Sequence, residues 1–143
     1  MMTLDCQQTQ SSFKCRFPAR VSCVEEMLSR VAAFLAGKCS EQTFFNLSLV
    51  LREALNNAVF HGAEQDSSFF VSCRATLSQE RISFEVLSPG PGFNWKKRLK
   101  NNPAGSTEQG GWGMFIISRY SDGFEYNESG NKLKFWVNLP GKN

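Results

Sequence analysis

The chain contains a single histidine, His61, in 143 residues, and none of its five cysteines forms a C-x-x-C pair. Both absences exclude a zinc finger or ribbon, which needs four nitrogen or sulfur ligands at close spacing. No apolar run approaches the roughly 20 residues of a membrane-spanning helix. Met1–Ser12 is polar and lacks the basic-then-apolar plan of a secretory signal, so it reads as a disordered lead (1–12) to a single domain over 13–143. Internal repeats and linker-like breaks are also missing. An excess of one charge is lacking too, since the formal net charge is only +3, too mild to argue for nucleic acid. The cysteines (Cys6, Cys15, Cys23, Cys39, Cys73) are odd in number and widely spaced, which predicts reduced thiols in a cytoplasmic protein.

What is present is the composition of a folded domain, with 41% hydrophobic residues, 20% charged residues and 13 phenylalanines. The length suffices for one sizeable core. Phe13, Cys15 and Phe17 alternate with Lys14 and Arg16, the period of a strand with one wet face. Ser22 followed by Glu25 has the form of a capping box, and Val24, Leu28, Val31 and Leu35 then keep helical spacing to a stop at Gly37. Ser40 is placed to cap a second helix, with Glu41 in its first turn. That helix runs to about His61 and ends at Gly62.

Two strands follow, Phe69–Leu77 and Ile82–Val86, patterned as an antiparallel hairpin with one buried face. The long Gly-, Pro-, Asn- and Lys-rich stretch from Ser88 to Gly111 has the character of a functional lid. Its basic residues Lys96, Lys97, Arg98 and Lys100 suit a triphosphate or an acidic partner surface. A helix is predicted from Trp112 to Tyr120. Two last strands carry Phe124 and Tyr126, then Leu133 to Leu139, joined by a turn at Ser129–Asn131. About five strands and three helices, with helices on one face of a mostly antiparallel sheet, predict an α+β fold, a two-layer α/β sandwich.

Three stretches carry candidate chemistry. In Glu53–Gly62, Glu53, Asn57 and His61 recur every fourth residue, so they share one helix edge beside the apolar stripe of Leu47, Leu51, Ala54, Leu55 and Ala58. Asn57 offers an oxygen ligand for magnesium, which otherwise keeps waters and phosphate oxygens. Glu53, one turn earlier, is placed to take a proton from an attacking hydroxyl. The second stretch, Ser88-Pro89-Gly90-Pro91-Gly92-Phe93, follows a strand, and its glycines let backbone approach a flat ligand. The third, Gly110-Gly111-Trp112-Gly113-Met114, opens a helix whose free amides and dipole favour an anion.

In this order and at these boundaries, the three stretches resemble the motifs of the GHKL superfamily of ATP-binding domains, and within it the bacterial anti-sigma factor serine/threonine kinases. The resemblance covers about Phe13 to Leu139 and implies a Bergerat-type fold binding ATP and Mg2+. It implies that Asn57 holds magnesium and Glu53 activates the acceptor hydroxyl. Gly90 and Gly92 would lie against the adenine, and Gly111 and Gly113, with Met114, would bind the triphosphate. It further implies a cytoplasmic homodimer that binds a sigma factor and phosphorylates an anti-anti-sigma antagonist, without contacting nucleic acid or membrane. One position departs from the pattern. Where the second motif carries an aspartate that accepts from the adenine amino group, this chain has Ser88. A serine also accepts, without charge, so two readings stand: an ATP-dependent kinase, or a nucleotide-free module of the same fold that sequesters a regulator. Trp136, on the polar side of its strand, and Phe45, Leu49 and Phe60, off the main stripe of the second helix, are candidate interface residues.

Overall fold

A computed structural model describes residues 4–62, 66, 68–88 and 111–140. The elements run β1 (Asp5–Gln8), β2 (Ser12–Pro18), α1 (Val21–Leu35), α2 (Glu41–Asn57) continued by a π-helical turn (Ala58–Gly62), β3 (Phe70–Leu77), β4 (Arg81–Leu87), α3 (Gly111–Tyr120), β5 (Gly123–Tyr126) and β6 (Lys132–Asn138). The strands form one sheet in the order β1-β2-β3-β4-β6-β5, and every pairing is antiparallel. This is the α+β two-layer sandwich that the alternation of apolar residues predicts.

The register explains the core. Phe13, Ala75, Phe84, Phe135 and Phe124 face one another across successive strands. Phe84 and Phe135 stack with ring centroids 5.2 Å apart, and the small Ala75 leaves room between Phe13 and Phe84. Side chains of opposite parity (Lys14, Arg74, Glu85, Lys134) line the other face, which the helices leave open. On the closed face, α1 packs on β2, α2 on β6 and α3 on β5. Buried residues at helical spacing supply the contact: Cys23, Val24, Met27, Val31 and Phe34 from α1, then Leu47, Val50, Leu51, Ala54 and Leu55 from α2. Burying each large apolar side chain contributes about 1.5–3 kcal/mol.

The helix signals are met unevenly. Ser40 Oγ accepts from the Thr43 N–H at 3.1 Å, and Gly37 takes a positive φ of 75° just after α1, as its place after the periodic run predicts. The Ser22–Glu25 capping box does not form. Helix α1 starts at Val21, two residues earlier than a cap at Ser22 would place it, and Arg20 at its N-cap makes no side-chain cap bond. Glu25 instead pairs with Arg52 of α2, and this ion pair helps fix the two helices side by side.

Three further expectations are corrected. Asp5–Gln8 belongs to a strand rather than to a disordered lead: β1 adds to the edge of β2, with Cys6 opposite Cys15. A short polar edge strand carries no hydrophobic period, so its sequence resembles a tail. Cys6 and Cys15 are joined as a disulfide, where reduced thiols were expected; the register that creates β1 brings them together. Cys23, Cys39 and Cys73 are free. Finally, Trp136 is not a bare anchor. Its ring lies against Gly123 and under the Arg81 guanidinium, 5.5 Å from the ring centroid. Phe45 and Phe60 are exposed, while Leu49 is half-buried.

Candidate functional site

Helix α2 buries its apolar stripe against the sheet, which turns its next edge toward the start of α3. Glu53 and Asn57 lie on that edge. The backbone of α3 passes so close that a Cβ built on Gly113 would lie 2.9 Å from Glu53 Oε2 and 3.6 Å from both Asn57 Nδ2 and Oδ1. A side chain at 113 would therefore have to displace the Glu53 carboxylate, while Asn57 lies at ordinary contact distance. The sequence reading places Glu53 and Asn57 in the first stretch and Gly113 in the third, and the fold brings the three into one cluster.

The electrostatics of the cluster follow from its burial. Removal from water pushes the Glu53 carboxyl above the ordinary carboxylate range, with Arg52 pulling the other way. The first turn of a helix favours negative charge nearby, so the start of α3 is a suitable neighbour for this carboxylate. Asn57 is 5% exposed, and its Nδ2 has no hydrogen-bond partner among the described residues. A buried donor left unpaired costs about 1–3 kcal/mol. Such a donor beside an acid and a helix start is a candidate binding contact, and the side-chain oxygen of the same amide is a candidate ligand for a hard cation. Among the described residues no group of three or more His, Cys, Asp or Glu side chains could hold a metal. A cation here would thus depend on Asn57 and on oxygens brought by a ligand, the habit of magnesium.

Ser88 closes the other side. It directly follows β4, is buried, and its N–H donates to the Asn131 carbonyl at 2.8 Å. Its hydroxyl donates to the Ala58 carbonyl at 3.3 Å, where α2 passes into its π-helical turn. Such turns are frequent at functional sites. Between them lies a cavity of ≈ 10 Å³ lined by Asn57, Ala58, Ser88, Tyr126, Gly130 and Asn131, among others. It has room for about one water molecule.

The remaining predicted residues divide as follows. Gly111 opens α3, as expected of a helix start. Met114 is fully buried in the core, so its side chain anchors α3 instead of facing a ligand. Gly90, Gly92, Phe93 and the basic segment with Lys96, Lys97, Arg98 and Lys100 lie outside the described residues. His61 falls in the π-helical turn. Tyr126, Gly130 and Asn131 join the site unforeseen. Their sequence signal was only a turn, in which Asn127 Oδ1 accepts from the N–H groups of Asn131 (3.0 Å) and Lys132 (3.1 Å), holding the Asn131 carbonyl toward Ser88.

The two-layer sandwich thus packs an acid and a buried amide against a glycine at a helix start, an arrangement suited to an anionic ligand. The family model of the histidine kinase-like ATPase domain matches residues 17–136, and the chain belongs to this family. Its description names an ATP-using domain, so ATP is the ligand that membership implies. No curated protein matches the sequence. No described helix is long and apolar enough to cross a membrane.

Proposed function

We propose that the chain is an ATP- and Mg2+-dependent protein serine/threonine kinase of the anti-sigma type. It binds a sigma factor, phosphorylates a serine or threonine of an anti-anti-sigma antagonist, and works as a cytoplasmic homodimer. The single observation that supports this most is the packing of Glu53 and Asn57 against Gly113. Phosphoryl transfer asks for positioning and charge neutralisation more than for covalent chemistry, and these residues supply both. Asn57 offers its side-chain oxygen to the cation, which when bound would offset the charge of the phosphates. Glu53, raised toward neutrality by burial, is suited to accept the proton of the acceptor hydroxyl. The start of α3, kept open by Gly113, offers backbone amides to the phosphates.

The test is transfer of labelled phosphate from ATP to a candidate antagonist that copurifies with the chain. Glu53→Ala should lose transfer and keep nucleotide binding, whereas Asn57→Ala should lose both. Transfer at the wild-type rate in Glu53→Ala would remove Glu53 from its assigned role.

One observation favours a second reading, a nucleotide-free module that sequesters a regulator. Ser88 brings no charge to the cavity it lines, and its hydroxyl is already bonded to Ala58. Absence of any thermal stabilisation at millimolar Mg-ATP would favour this reading.

A further inference from the structure

Three cysteines lie in one line across neighbouring strands of the sheet. Cys6 on β1 is directly opposite Cys15 on β2, and Cys15 is directly opposite Cys73 on β3. We propose that the three form one thiol–disulfide exchange site, with Cys15 as the shared sulfur and a low-molecular-weight thiol or disulfide as the reagent that enters at Cys6. Such a site needs no nucleotide.

Directly opposite residues of adjacent strands point to the same face. Cys15 shares the parity of Phe13 and Phe17, so the row faces the helices, with Cys15 and Cys73 buried and Cys6 half-buried at the rim. Cys6 and Cys15 are joined, while Cys73 is free. Directly opposite Cα atoms in an antiparallel pair are about 4.5–5.5 Å apart, within the range a disulfide spans. Cys15 therefore has a bridging partner on each side. Cys6 and Cys73 lie two strands apart, about 9.5 Å by strand spacing, too far to bridge each other. The other free cysteines, Cys23 on α1 and Cys39 beyond it, are outside the row.

The burial of Cys73 sets the order of events. Removal from water pushes its thiol up to about 12, and the thiolate is the nucleophile in exchange, so Cys73 stays inert while the sheet is closed. Exchange starts from solvent. The reagent's thiolate attacks Cys6 Sγ, the Cys6–Cys15 bond breaks, and Cys15 leaves as a thiolate that takes up a proton. A second reagent thiol frees Cys6 and departs as the reagent's own disulfide. β1 pairs with β2 alone, and its Asp5, Gln7 and Gln8 are exposed, so without the bond little holds it. Its departure puts Cys15 at the edge of the sheet. A disulfide reagent then caps Cys15, and Cys73, losing its proton, attacks Cys15 Sγ and expels the reagent thiol to give Cys15–Cys73. The Cys6–Cys15 bond clasps the edge strand, and the Cys15–Cys73 bond leaves it free.

The test is disulfide mapping by mass spectrometry of the full chain, alkylated after equilibration with reduced and oxidised glutathione. The wild type in oxidised glutathione should carry Cys6–Cys15, and excess reduced glutathione should open it. Amide exchange of Asp5–Gln8 should then quicken by about tenfold or more. Cys6→Ser, a near-isosteric change at the rim, should carry Cys15–Cys73 in most chains in oxidised glutathione. Cys15→Ala should leave Cys6 and Cys73 unlinked to each other. A wild type with no Cys6–Cys15 bond in oxidised glutathione, or with a bond that excess reduced glutathione leaves closed, overturns the proposal. A folded Cys6→Ser chain with Cys15 free, or joined to Cys23 or Cys39, overturns the shared role of Cys15. Unchanged amide exchange on reduction overturns the clasp.

Discussion

Gly113 and Glu53 touch across two helices: a methyl group on the glycine would lie 2.9 Å from the carboxylate oxygen Oε2. The obstructing atom is the end of a flexible side chain, so the fold can yield to it. Gly113→Ala should therefore cost modest stability, about 1–2 kcal/mol, while displacing Glu53 from its place. Thermal melts should show a small fall, and phosphate transfer should drop by tenfold or more, as misplacement of about 1 Å at a reacting group costs that or more. Unchanged transfer in Gly113→Ala would show that the contact does not position the carboxylate.

Gly123 gives the opposite outcome. A Cβ there would run into the indole of Trp136, a rigid group held between the sheet and Arg81. Gly123→Ala should destabilise by about 2–4 kcal/mol through forced displacement of the ring, far from Glu53 and Asn57. Denaturant unfolding followed by tryptophan fluorescence should shift to a lower midpoint, with nucleotide affinity of the folded fraction unchanged.

Asn57 carries the binding contact without stabilising the free protein. Its Nδ2 is buried and unpaired, so truncation to alanine removes a cost as well as a packing contact. The free Asn57→Ala protein should melt within about 1 kcal/mol of the wild type. The rise in Tm that Mg-ATP produces in the wild type should be absent. A large fall in the melting of the free variant would place Asn57 in the structural core instead.

Much of this was legible in the chain because each signal had one physical meaning. The four-residue step from Glu53 to Asn57 had to place both on one helix edge, and the alternation of Phe13, Cys15 and Phe17 had to make a half-buried strand. The cap at Ser40 and the stop at Gly37 were equally readable. β1 was not, because three polar residues and one cysteine pair through their backbone, with no alternating apolar pattern to announce a strand. The disulfide followed the same blind spot, since Cys6 and Cys15 meet only through the register of β1. Tyr126 and Asn131 come to the site by long-range pairing of β4 with β6, which no local pattern encodes. Met114 shares the helix start with the glycines of its stretch, but its own side chain points inward to the core, which the glycine-rich pattern does not signal.

The Glu53 carboxyl yields a pH prediction whose sign can be derived. Burial raises its pKa in the folded state above the unfolded value of about 4.3. Between those two values the folded protein binds more protons than the unfolded one, so this group's contribution to stability is present at low pH and is lost as pH rises through the folded pKa. Glu53→Gln, which cannot ionise, should be more stable than the wild type at neutral pH, and the gap should close as pH falls toward 4. Melting curves of the two proteins across pH 4–8 check it. A Glu53→Gln variant less stable than wild type at pH 7 would mean that the carboxylate is held by a favourable partner.

The most direct test of the central claim, that Glu53, Asn57 and Gly113 frame one Mg-nucleotide site, is calorimetric titration of the wild-type chain with Mg-ATP beside Asn57→Ala. The account predicts saturable binding, one nucleotide per chain, in the wild type and its loss in the variant. Absence of heat in the wild type at millimolar Mg-ATP, or equal affinity in the two proteins, would contradict it.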